Sequence, residues 1–183
     1  MERLENGDFD FLRLRMEKWF RTALEKTEEN QSTEQIPGMG FSIILPGGFV
    51  LAGEDAAAGI YRSRKRPPVI FMAEGGRTGI TFQQLSEEQT GETLSSGRER
   101  IRQIIGQIDK RNVFYDVGET EKAVWFDYKS FAGKETVYNM VFLFRAGEKK
   151  IMGTFYCMFE AYDRWRSEIL EMIDTIRTEE KEE

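Results

Sequence analysis

Three runs decide the fold: KAVWFDYKSF at 122–131, TVYNMVFLFR at 136–145 and KIMGTFYCMFE at 150–160. Each is rich in β-branched and aromatic residues, and short glycine-bearing stretches at 132–135 and 146–149 separate them. Such runs broken by turn residues read as consecutive strands of an antiparallel meander. A different period follows, with Trp165, Ile169, Met172, Ile173 and Ile176 spaced as one face of a helix.

The middle run carries the architectural information. Val137, Val141 and Leu143 point one way, whereas Tyr138, Met140, Phe142 and Phe144 point the other, because side chains alternate across a strand. Val124, Phe126 and Tyr128 are likewise opposed by Trp125 and Phe131. A sheet apolar on both faces needs cover on both. Helical periods at 8–29, 86–109 and 161–177 supply candidates, so the expected fold is α+β, an antiparallel sheet of about six strands sandwiched between α-helices.

Upstream, Phe41–Leu45 reads as a strand stopped by Pro46-Gly47-Gly48, and a second begins at Phe49. Gly59–Ser63 reads as a third short strand. Val69–Glu74 and Thr78–Leu85 flank Gly75-Gly76-Arg77 as a hairpin. Ser86 and Gln89 resemble a capping box for the middle helix, and Gly91 and Gly97 move its firm start toward Ser95. That helix shows a stripe of Leu94, Ile101, Ile104, Ile105 and Ile108, and 112–117 is the next strand. In 8–29, Phe9, Leu12, Met16, Trp19, Phe20 and Ala23 share a side; alternation over 12–16 also allows a short strand there. The polar stretch Glu28–Gln35 reads as a linker.

The run Gly40-Phe41-Ser42-Ile43-Ile44-Leu45-Pro46-Gly47-Gly48-Phe49 is similar to the opening strand and turn of the PsbP-like or DcrB-like α/β/α superfamily. The hairpin, the helix at 86–109, the strand at 112–117, the meander and the closing helix ending Asp174-Thr175-Ile176-Arg177 follow in that group's order. The resemblance spans about 38–178. It implies a PsbP-like domain at 38–178; the N-terminal helix and polar linker at 1–37, the long Gly53–Pro68 segment and the charged tail at 179–183 are not part of that group's pattern. It also implies a binding or assembly factor, adaptor or chaperone-like, rather than an enzyme.

Composition narrows the chemistry. The 183 residues contain no histidine and one cysteine, Cys157, and carry a net charge of −6. Lack of histidine removes the commonest general base and zinc ligand, so neither catalytic residues nor a metal or other cofactor is expected. An acidic chain is a poor general nucleic-acid binder. No apolar run approaches the ~20 residues of a membrane helix. The charged N-terminus and the single cysteine predict a cytoplasmic protein without an intrachain disulfide, and the resemblance implies a bacterial one. Cys157 alternates with Phe155 and Phe159 and reads as core. Gly38-Met39-Gly40 and Gly133-Lys134 lead into strands, so neither presents a helix N-terminus to a phosphate. Asp116 with Glu119 and Glu121, like Asp8 with Asp10, reads as solvated charge rather than an acid–base pair.

The expected partner is another protein. Arg62, Arg64, Lys65 and Arg66, with Arg77 in the hairpin, form the polar candidate for docking an acidic partner; the plainer reading is a charged edge strand. Phe11 and Leu14, on the far side of the N-terminal helix, form the apolar candidate, sealing a homodimer or receiving a partner helix. The eight methionines and the aromatic residues also suit a small apolar-ligand or lipid carrier. A hydrolase using an imidazole-free nucleophile is the third alternative.

Overall fold

The computed structural model describes residues 31–61, 65–86 and 93–179. Its elements are β1 (Ser32–Gln35), β2 (Phe41–Leu45), β3 (Val50–Leu51), α1 (Glu54–Ile60), β4 (Val69–Ala73), β5 (Thr78–Leu85), α2 (Leu94–Ile108) and β6 (Val113–Glu119). They continue with β7 (Ala123–Ala132), β8 (Glu135–Ala146), β9 (Lys149–Met158), α3 (Tyr162–Asp174) and β10 (Arg177–Thr178). The predicted helix at 8–29, with Phe11 and Leu14, lies outside the described residues.

Seven antiparallel strands form the main sheet in the order β3-β4-β5-β9-β8-β7-β6. β7, β8 and β9 are the meander read from the sequence, paired over nearly their whole length. The sheet is buried on both faces. On one face Phe82, Phe142, Phe144 and Phe155 meet Phe41, Ile43 and Leu45 of β2 and Trp165, Ile169 and Ile173 of α3. Phe41 stands edge-on to Phe82 and Phe144, with ring centroids 5.3 and 4.8 Å away, the geometry aromatic quadrupoles favour. On the other face Val124, Phe126, Val141 and Leu143 receive Leu94, Ile101 and Ile105 of α2, while Ile70 and Met72 receive Ala57 of α1. Fully burying a Phe or Leu side chain contributes about 1.5–3 kcal/mol, so these two layers supply most of the drive to fold.

Several elements depart from the sequence reading. Ser32–Gln35, read as linker, pairs with β2, which in turn pairs with β10 in a three-stranded sheet. β1 has mostly exposed side chains, so backbone pairing forms it without an apolar pattern to announce it. The strand expected from Gly59 is instead the end of α1, because Ala56, Ala57 and Ala58 favour helix and Glu54 and Asp55 suit its positive N-terminal end. α2 begins at Leu94, and its capping box joins Thr93 and Ser96: Thr93 Oγ1 accepts from the Ser96 amide at 3.0 Å, and Ser96 Oγ accepts from the Thr93 amide at 3.2 Å. Ile104 and Ile108 leave the predicted stripe and are 47 % and 79 % exposed, since Ile101 and Ile105 take the sheet side one turn apart.

Three glycines sit directly opposite aromatic residues on neighbouring strands: Gly79 with Tyr156, Gly118 with Trp125 and Gly153 with Phe142. At Gly153 an added Cβ would come 2.1 Å from Phe142 Cζ, inside a fully buried layer. Gly153→Ala is therefore expected to lower unfolding free energy by about 1–3 kcal/mol through overpacking, read as a reduced urea midpoint. An unchanged midpoint would show that the Phe142 ring can move aside.

Candidate functional site

β7 carries one carboxylate on its inward face, Asp127, between Phe126 and Tyr128. It is only 1 % exposed. A buried charge is tolerated only when donors surround it. Asp127 Oδ1 accepts the Asp116 amide at 2.8 Å; Oδ2 accepts the Tyr138 hydroxyl at 2.7 Å and Arg166 Nε at 3.0 Å.

Each donor has a local reason for being there. The β6–β7 pairing shifts register between Phe114 and Val117, a bulge that turns the Asp116 amide toward Asp127. Tyr138 lies diagonal to Asp127, because Asp127 pairs with Met140 and Lys129 with Tyr138. Arg166 reaches down from the second turn of α3 and also holds Asp116 Oδ2 through Nη2 at 2.9 Å. Burial works against the Arg166 charge, but Asp127 outweighs it and keeps the guanidinium pKa above its ordinary value. Burial first, then the Asp127 hydrogen bond, pushes the Tyr138 hydroxyl pKa well up.

Above this network opens a cleft of about 470 Å³, lined by Tyr115, Asp116, Asp127, Tyr138, Phe159, Tyr162, Asp163, Arg166 and Ser167. One wall is an aromatic stack: Tyr115 and Phe159 lie 6.2 Å apart at 29°, and Phe159 and Tyr162 lie 5.1 Å apart at 21°. Lys129 Nζ rests 5.0 Å from the Phe159 centroid. A hydrogen bond to the adjacent Asp163 carboxylate raises the Tyr162 hydroxyl pKa.

The inward carboxylate, the guanidinium and the Tyr138 hydroxyl are committed to one another. Cys157 is buried, and burial pushes its thiol up to about 12. Among the described residues, no group of three Asp, Glu, Cys or His side chains is placed to hold a metal ion.

The residues singled out from sequence lie elsewhere. Arg62 and Arg64, like Phe11 and Leu14, fall outside the described residues. Lys65 is exposed; half-buried Arg66 lines a separate groove with Pro67 and Pro68. Arg77 is exposed beyond the far end of β4, so that strand separates it from Lys65 and Arg66. Of the cleft residues, the sequence singles out only Asp116, and as solvated charge. It is mostly exposed, yet it lines the cleft and pairs with Arg166. Asp127, Tyr138, Tyr162 and Arg166 were missed. The available signal was a carboxylate flanked by Phe126 and Tyr128 inside an apolar strand.

Comparison with solved structures identifies the fold. Cyanobacterial PsbP (CyanoP) from Synechocystis sp. PCC 6803 superposes with a TM-score of 0.56 at 10% sequence identity, covering 82% of this chain and 93% of that one. The Ran-binding protein Mog1p of Saccharomyces cerevisiae gives 0.54 at 12% identity, covering 81% and 95%. The chain has the PsbP-like fold, as its opening strand and meander implied. No family model and no curated protein matches the sequence. No helix among the described residues is long and apolar enough to cross a membrane.

Two outcomes follow from the network. Removing one partner of a buried pair leaves the other charge uncompensated, so Arg166→Ala should cost about 2–4 kcal/mol, discounted because Arg166 is one-third exposed. Asp116→Ala, removing an exposed partner, should cost about 0–1 kcal/mol in the same urea titration. Equal losses would mean that Arg166 does not sustain Asp127.

The second outcome concerns pH. Burial raises Tyr61, Tyr138 and Tyr156, and pushes Tyr128 up to about 12. Folded values lie above the unfolded value, so this contribution is complete below about pH 10 and lost as pH rises toward the folded values. Phenolate absorbance should lag behind that of free tyrosine, and stability should fall only above about pH 10. Ordinary titration of all six tyrosines in the folded protein would contradict the burial argument.

Proposed function

We propose that the protein is a non-catalytic binding module, adaptor or chaperone-like, that receives a partner protein at the cleft between the bulge of β6 and the first turns of α3. The observation that carries this reading is an open, aromatic-walled cleft whose ionisable floor is locked in mutual hydrogen bonds. Such a surface offers stacking area and fixed polar groups, the usual make-up of a recognition site. The Ran-binding name of Mog1p supports protein recognition on this fold, at 12% identity. A cytoplasmic setting fits the single cysteine, which allows no disulfide within the chain.

The apolar-ligand carrier has less support. The layer between the sheet and α3 is filled by fully buried Phe41, Phe82, Phe142, Phe144, Phe155 and Trp165. An imidazole-free hydrolase would need an activated nucleophile, and the thiol of Cys157 is buried with a raised pKa. The basic run at 62–66, with Lys65 and Arg66 on the described surface and Arg77 apart from them across β4, stands as a second proposed docking surface, as do Phe11 and Leu14 for a homodimer.

Replacing Tyr115 with the photo-cross-linker benzoylphenylalanine in the full-length chain tests the choice of surface. Irradiation in the source cell should yield a discrete protein adduct, absent when the same probe replaces Arg77. An adduct pattern no different from that at Arg77, including none at either, would overturn the assignment.

A further inference from the structure

We propose that the aromatic cleft takes a cationic side chain, the guanidinium or ammonium group of an arginine or lysine presented by the partner. The proposal rests on the reading of the cleft as a protein-binding surface and adds the chemistry of what enters it.

Charge counting gives the sign. The lining holds three carboxylates, Asp116, Asp127 and Asp163, and one guanidinium, Arg166, an excess of two negative charges. Arg166 is engaged by Asp127 at 3.0 Å and Asp116 at 2.9 Å. Counting Lys129, beside the aromatic wall, still leaves one negative charge over. The whole chain, at −6, adds a field of the same sign. An acidic side chain entering the cleft would meet this excess; a basic one neutralises it.

Aromatic geometry gives the shape. The faces of aromatic rings carry negative potential and attract cations lying within about 6 Å of the centroid. Lys129 already occupies such a position over Phe159. The neighbouring rings of Tyr115 and Tyr162 extend the same wall toward solvent, and Asp163 stands exposed beside Tyr162 at the rim. A planar guanidinium could therefore stack on the wall while its edge donates to the Asp163 carboxylate, a charge-assisted hydrogen bond. The cleft's depth then ends on the closed Asp127–Tyr138–Arg166 network, which offers an incoming anion no uncommitted cation.

The test uses the full-length chain and three fluorescein-labelled heptapeptides that differ only at the central residue of a Gly-Ser-Val-Xaa-Val-Ser-Gly frame: arginine, citrulline or glutamate. Citrulline keeps the shape of arginine and removes its charge. By fluorescence anisotropy the arginine peptide should bind about tenfold more tightly than the citrulline peptide, with the glutamate peptide weakest. Asp163→Asn should reduce that preference several-fold without changing binding of the citrulline peptide. Equal affinity for arginine and citrulline, a preference for glutamate, or no arginine-peptide binding up to about 1 mM would overturn the proposal. The cross-linking result separates the two levels. An adduct at Tyr115 without charge preference removes the cation site and leaves a protein-binding cleft. Arginine preference without an adduct leaves the cation site and removes the proposed protein partner.

Discussion

The buried Asp127 carboxylate ties three elements of the molecule together. It lies in the second strand from one edge of the sheet, where a hydrophobic residue would pack at lower electrostatic cost. Its three donors come from three different elements: the bulge of β6, the inward face of β8 and the second turn of α3. Satisfying it fixes the register of β6 against β7 and the rotation of α3 over the sheet. Because several kcal/mol of desolvation must be offset, loose alternatives to this arrangement are penalised. The cleft opens over the same network, with Arg166 of α3 bonded at its floor to Asp116 of β6 and Asp127 of β7.

Among the described residues, the rest of the interior leaves little room for a ligand. Phe142 over Gly153, Trp125 over Gly118 and Tyr156 over Gly79 fill the sheet surface so closely that a methyl group at any of the three glycines would collide. Phe41, Phe82 and Phe144 close the space under β2 with edge-to-face contacts. Packing of this density favours recognition at the rim of the sheet, where Tyr115 and Asp116 are exposed on an edge strand, over enclosure within it.

The sequence made the layered core legible because its strands are long and apolar on both faces. Phe142 and Phe144 alternate with Val141 and Leu143 without interruption, and Trp165, Ile169 and Ile173 keep a helical period. It hid β1, whose polar Ser32-Thr33-Glu34-Gln35 is held by backbone pairing, and α1, whose alanines carry no apolar stripe. The site was less legible still. Asp116, Asp127, Tyr138 and Arg166 span 50 residues and meet only through strand register and the placement of α3. The basic residues around 62–66 stood out as a run because they are adjacent in sequence, a poor guide to adjacency on a folded sheet. A carboxylate between Phe126 and Tyr128 was the one local sign of buried chemistry, and its meaning depended on partners that no spacing rule connects.

Likeness to CyanoP and Mog1p at 10% and 12% identity speaks for a shared backbone path and carries no side chain across. The proposed recognition therefore rests on this chain's own groups. The aromatic wall supplies area and the carboxylates supply sign, but the two act together only because the bulge at Phe114–Val117 turns the Asp116 amide inward. Without the bulge, regular alternation along β6 would put residues 115 and 116 on opposite faces of the sheet, and one of them would leave the cleft. An irregularity in an edge strand, which also discourages edge-to-edge pairing, here serves to assemble the surface that a partner would read.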